Sequence, residues 1–192
     1  MVGHVPGKRA VFLDRDGVLN QATVREGKSY PPQCLSDFRL LPGVVEACEL
    51  LKQQGFLLIV VTNQPDVTTG KQSLEVVEAM HAKLRSVLPI DEIRACYHTD
   101  ADACTCRKPA PGMLLAAAEL HDLNLSASYM VGDRWRDVQA GQQAGCSCFV
   151  IDYGYREPLP TSPYQTVPGL LDAARCIHSL AATPTGGTHD YP

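Results

Sequence analysis

The sequence predicts an α/β fold, a parallel sheet covered by helices on both faces. Two observations carry this. Five short apolar runs, "RAVFLD", "GFLLIVVTN", "IRACYH", "ASYMVGD" and "CSCFVID", read as buried strands. Between them lie stretches with helical period, and strands alternating with helices of this length imply a parallel sheet.

Taken in order, "RAVFLD" is the first strand. "QATVREGKSYPPQCLSDFRLL" follows as a loop of about twenty residues, too long for a plain connection and therefore marked as functional. In "PGVVEACELLKQQG" the residues Val44, Ala47, Cys48 and Leu51 share a face, with Pro42 near the start and Gly55 as the C-terminal cap. In "SLEVVEAMHAKLRSVL" the residues Leu74, Val77, His81, Leu84 and Leu88 follow the 3,4 spacing. "PGMLLAAAELHDL" and "RDVQAGQQAG" are two further helices. No internal repeat is present. The expectation is one domain over residues 1–182, with residues 183–192, "TPTGGTHDYP", having the composition of a disordered tail.

Bulk properties narrow the class. The 192 residues suffice for one domain, which at this length buries roughly 70% of its unfolded surface. A net charge of −4 and the lack of a Lys/Arg-rich run argue against a nucleic-acid partner. No apolar run approaches a membrane span, and "MVGHVPGKRA" lacks the apolar segment of a secretory signal. The expectation is a cytoplasmic, monomeric protein whose eight cysteines are reduced.

In open α/β sheets, ligands bind at the carboxyl ends of the strands. Those ends carry Asp14 and Asp16, then Thr62 and Asn63, then Cys96 and His98, then Gly132 and Asp133. Three carboxylates and a hydroxyl thus meet at one edge, where Lys108 can reach them. Crowded carboxylates repel unless a cation neutralises them, and hard oxygen ligands suit magnesium, which also takes phosphate oxygens. One carboxylate can then attack phosphorus, while a second, two residues away, serves as acid and base. Alone, Asp14 and Asp16 also fit turn residues, Thr62 and Asn63 a turn closure, and Asp133 a helix N-cap. Asp137, one helical turn on, is expected to orient Asp133 or to bind through water.

"DRDGVLN", "VTNQ", "RKP" and "VGDRWRD", in this order over residues 10–137, resemble the four motifs of the haloacid dehalogenase (HAD) superfamily of phosphatases. The resemblance implies a HAD-type Rossmann-like sheet, and no segment is long enough for a large cap domain. It implies that Asp14 is the nucleophile and Asp16 the acid/base. Magnesium would be held by Asp14, the backbone carbonyl of Asp16, and Asp133. Thr62 would bind the phosphoryl group and Lys108 would stabilise it, with Asn63 and Gln64 contacting substrate.

Cys96-x-His98 and Cys104-x-Cys106 supply three thiolates and an imidazole, a closed tetrahedral set for structural zinc. A zinc there would clamp a loop whose end delivers Arg107 and Lys108 to the active edge. Free loop cysteines are the plainer alternative, and a redox dithiol fits less well because no C-x-x-C is present. Cys146 and Cys148 alternate onto one strand face and read as core.

Within the superfamily, a zinc loop of this type resembles the heptose bisphosphate phosphatases and the histidinol-phosphatase domains. "CRKPAPGML" and "DFRLLPGV" are more similar to the former. This implies a small phosphorylated sugar as partner, with Arg107 and Arg134 contacting it. The sequence departs from the pattern at Pro65-Asp66 and across residues 21–32. A histidinol phosphatase, another sugar-phosphate phosphatase and a noncatalytic zinc-stabilised module are the alternatives.

Overall fold

Residues Ala10–Leu13 (β1) are apolar and fully buried on both sides, the condition for a strand at the centre of a covered sheet. The computed structural model describes residues 7–182, so the expected tail at 183–192 lies outside the described residues. After β1 come a hairpin of Thr23–Arg25 (β2) and Lys28–Tyr30 (β3), then Val44–Gln53 (α1), Leu57–Asn63 (β4), Leu74–Val87 (α2) and Glu92–Cys96 (β5). The second half supplies Gly112–His121 (α3), Tyr129–Gly132 (β6), Trp135–Ala144 (α4), Ser147–Ile151 (β7), Gln165–Val167 (β8) and Leu170–Ala182 (α5).

Six strands form one parallel sheet in the order β5-β4-β1-β6-β7-β8. The chain winds outward from β1 through β4 to β5, then returns to β6 on the other side of β1. The ends of β4, β1 and β6 are therefore neighbours where the winding reverses, the usual place for a ligand.

Strand alternation sorts the core into two layers. Val11, Leu13, Leu58 and Val60 face α1, α2 and α5, packing on Leu51, Met80, Leu84 and Ile177. Ala10, Phe12, Ile59 and Val61 face α3 and α4, packing on Met113, Leu114 and Val138. Cys146 and Cys148 belong to this second layer, as expected, and burial pushes both thiols up to about 12.

All five predicted strands and four predicted helices are present. Val44, Ala47, Cys48 and Leu51 are the buried face of α1. Gly55, with φ +80°, sits just past its end, where Phe56 N–H reaches Leu51 O at 3.2 Å. Leu74 is a correction: as the first residue of α2 it is 45% exposed, and Met80 fills the core instead. The expected twenty-residue loop is a second correction. It contains the β2–β3 hairpin, turned by Glu26 and Gly27 at φ 53° and 76°, and a short 3-10 turn at Leu35–Asp37. β8 and α5 lie beyond the elements expected from the sequence. Among the described residues, no helix is long and apolar enough to cross a membrane.

Candidate active site

The edge where β4, β1 and β6 end is organised around a buried lysine. Lys108 is 2% exposed, and its ammonium donates to Asp14 Oδ1 at 2.8 Å and to Val61 O at 2.7 Å. It also forms an ion pair with Asp137. Burial opposes charge on this lysine, but Asp137 and Asp14 outweigh it and hold the ammonium above its ordinary range. Asp14 directly follows β1, and its N–H donates to Val131 O of β6 at 3.0 Å, so the sheet itself fixes its backbone.

Asp14, Asp133 and Asp137 each direct an oxygen to a spot where these atoms lie within 4.8 Å of one another. Three carboxylates facing one ammonium leave an excess of negative charge. Burial, partly countered by Lys108, raises Asp14 to about 6; burial, Asp14 and Asp137 raise Asp133 well above the usual carboxylate range. Asp133 Oδ1 is buried without a hydrogen-bond partner, while Oδ2 accepts from the Tyr155 hydroxyl at 2.8 Å. An orphaned oxygen amid surplus negative charge fits a hard divalent cation. Gly17, at φ +87°, passes so close to the Asp133 carboxylate that any side chain there would collide with it.

Asp16 stands at the mouth of this edge with its carboxylate held on several sides. Arg15 Nη2 donates to Oδ2 at 2.9 Å, Asn20 Nδ2 to Oδ1 at 2.9 Å and Gln64 Nε2 to Oδ2 at 2.8 Å. Arg15 is fully buried and also contacts His81 Nε2 at 3.3 Å. Burial and Arg15 depress His81 to about 4, so the imidazole is neutral and can accept from the guanidinium.

The cysteine loop lies beside the edge. Cys96 Sγ is 3.8 Å from Cys104 Sγ and 3.3 Å from Cys106 Sγ, and the last two sulfurs are 3.4 Å apart. His98 Nδ1 lies 3.5 Å from Cys96 Sγ and 3.3 Å from Cys106 Sγ. Sulfurs around tetrahedral zinc, with bonds of about 2.3 Å, stand roughly 3.8 Å apart. Four donors already converged this closely are compatible with such an ion.

The chain is similar to known proteins. The HAD-hydrolase-like family profile matches residues 105–173. A D-glycero-β-D-manno-heptose-1,7-bisphosphate 7-phosphatase of Yersinia pestis is 35% identical over 91% of this chain and 93% of its own length. The enzyme of that name from Escherichia coli K12 is 37% identical over 74% of this chain and 78% of its own. This chain belongs to that family of HAD-like phosphatases. A crystal structure of the D,D-heptose 1,7-bisphosphate phosphatase of B. bronchiseptica, complexed with magnesium and phosphate, superposes with a TM-score of 0.79 at 28% identity. It covers 90% of this chain and 99% of that one.

In this phosphatase the expected residues divide into two groups. Asp14, Asp16, Thr62, Asn63, Gln64, Lys108 and Arg134 line one cleft, which the hairpin residues Ser29 and Tyr30 border. Asp133 sits beneath it, next to Asp14. Asn63 and Gln64 spend their amides on protein, however. Asn63 Nδ2 donates to Lys108 O at 2.9 Å and Oδ1 accepts from Lys108 N–H at 3.1 Å. Gln64 Nε2 bridges Asp16 and Thr62 Oγ1, the latter at 2.9 Å. Arg107 points elsewhere: its Nε donates to Asp100 Oδ1 at 2.8 Å, in a separate groove of the cysteine loop.

Several roles escaped sequence reading. Asp137 accepts the Arg134 N–H at 3.0 Å as it caps α4, besides pairing with Lys108; no bond to Asp133 is formed. Arg136, not Arg107, lines the cleft, held by Asp100 at 3.2 Å. Arg15 and Asn20 were inside "DRDGVLN" and could have been found there. Tyr155 and Glu157 follow β7 in a stretch with no motif to draw attention.

Proposed function

We propose that the protein hydrolyses the 7-phosphate of D-glycero-D-manno-heptose 1,7-bisphosphate through an aspartyl-phosphate on Asp14, using magnesium. The observation that carries this reading is the buried Lys108–Asp14 pair beside the unpartnered Asp133 oxygen. The named relatives support the substrate.

A carboxylate oxygen of Asp14 forms a bond to phosphorus as the bond from phosphorus to the sugar C7 oxygen breaks. Asp16 gives a proton to that leaving oxygen. It then takes a proton from water attacking phosphorus, releasing inorganic phosphate and regenerating Asp14. Gln64 sets Asp16 and Thr62 relative to each other, and Thr62 donates to a phosphoryl oxygen. Lys108, with its backbone clamped by Asn63, places a fixed positive charge beside Asp14, so little reorganisation accompanies charge transfer. Magnesium held by Asp14, the Asp16 carbonyl and Asp133 would neutralise phosphoryl oxygens.

Cys96, His98, Cys104 and Cys106 hold structural zinc in this reading, with no position left for water. Arg134, at the rim of the cleft, takes the substrate's remote anionic group. A cytoplasmic setting and a monomer remain the expectation. A panel of heptose bisphosphate, fructose bisphosphate and histidinol phosphate tests the assignment through phosphate release. The heptose should have the highest kcat/KM; preference for histidinol phosphate would overturn the sugar assignment.

A further inference from the structure

The segment after β7 carries no motif, yet it bonds four separate places around the cleft. The Tyr153 hydroxyl donates to Gly17 O at 3.0 Å, in the loop that follows β1. The Tyr155 hydroxyl donates to Asp133 Oδ2 at 2.8 Å. The Arg156 N–H donates to Gly27 O at 2.8 Å, in the turn of the hairpin. Glu157 takes the Arg134 guanidinium with both oxygens, Nη2 at 2.6 Å and Nε at 3.0 Å.

Two of these bonds fix groups that face opposite tasks. A ligating carboxylate keeps its orientation through the partner on its other oxygen, and removing that partner weakens the metal site. Tyr155 is that partner: with Oδ2 occupied, Oδ1 of Asp133 is the oxygen left over, buried and unbonded. The two-oxygen pairing of Glu157 does the same for Arg134, setting the plane of a guanidinium that borders the cleft.

We propose that Tyr155 and Glu157 are two independent positioning residues, Tyr155 setting the Asp133 carboxylate for a divalent cation and Glu157 setting Arg134 for the substrate's anionic group. The inference rests on reading the cleft as a divalent-cation phosphatase site. Its signature is a separation of effects. The phenol should govern metal affinity in the absence of substrate, and the carboxylate should govern substrate affinity at saturating metal.

The test uses the full chain with Mn2+ as probe, following free Mn2+ by electron paramagnetic resonance without substrate. A second readout is KM for the heptose bisphosphate at saturating Mg2+. Tyr155→Phe should weaken Mn2+ binding about tenfold, as loss of such outer partners does, and leave KM within about twofold. Glu157→Gln should leave Mn2+ affinity within about twofold and raise KM about fivefold. Parent-like Mn2+ affinity in Tyr155→Phe would overturn the proposal. So would parallel losses in both readouts for both variants, because that makes the segment a packing strap. A parent that binds no Mn2+ would remove the cation reading itself.

Discussion

The carboxylate edge and the cysteine loop gather their polar atoms in opposite ways. At the edge, Lys108 meets Asp14 across 94 residues of sequence, and the partners arrive on ends of different strands and on α4. In the loop, Cys96 and Cys106 are ten residues apart on one excursion of the chain. The edge is buried and already has an internal cation, Lys108, so the sheet can form there without a metal. The loop has no counter-charge among its sulfurs, and much of its bonding is local, such as Thr99 N–H to Asp102 at 2.7 Å. Long-range assembly therefore gives the edge its rigidity, whereas a metal would have to give the loop much of its own. The two regions meet at Lys108, which the loop delivers but Asn63 clamps.

The largest effect should come from cutting the edge at its centre. Asp14→Asn should lower kcat by at least about a thousandfold while leaving the melting temperature close to that of the parent, because an amide cannot form the acyl phosphate. Near-parent turnover would remove the proposed nucleophile. Asn63→Ala comes next. Loss of both bonds to the Lys108 backbone should cost kcat about a hundredfold, since small misplacements at such a site are expensive. Steady-state kinetics with unchanged zinc content would check that the loop is intact in this variant.

Breaking the loop should cost less chemistry and more stability. Cys104→Ser should lower zinc content from about one per chain and reduce kcat roughly tenfold, because Asn63 still holds Lys108. The melting temperature should fall by about 6–12 °C, the size expected for a loss of about 3 kcal/mol in a chain of this length. Zinc loss with full activity and an unchanged melting temperature would dissolve the proposed link between loop and edge. The remaining effects concern the two arginines and the choice of substrate. Arg134→Ala should penalise the bisphosphate over an aryl phosphate by roughly 2 kcal/mol in kcat/KM, the worth of a charge-assisted contact. Arg107→Ala should cost less than about 1 kcal/mol, because Asp100 holds it outside the cleft. The reverse order would put the substrate on the loop side.

The edge was legible because its residues sit at strand ends, and strand ends in a parallel sheet converge whatever the loops do. Asp14, Asp16, Thr62 and Asp133 could be placed together from that rule alone, with Lys108, just before a helix, within reach of them. The cysteine set was legible because its spacing is local. Side-chain allegiance was not. Asn63 and Gln64 were at the right place but bond Lys108, Asp16 and Thr62, and Arg107 turns to Asp100. Such choices depend on neighbours from other elements. The hairpin was hidden because each strand has three residues and its Glu-Gly turn is a weak signal. Leu74 failed for a simpler reason: the 3,4 pattern was extended one residue too far, onto the exposed first turn of α2.

The most direct test of the central claim is the fate of each phosphate in the proposed substrate. D-glycero-β-D-manno-heptose 1,7-bisphosphate should be incubated with the protein and magnesium and followed by phosphorus-31 NMR. The account predicts one inorganic phosphate per sugar, loss of the C7 resonance and a stable C1 phosphate. No turnover of this bisphosphate, or release of the C1 phosphate first, would contradict it.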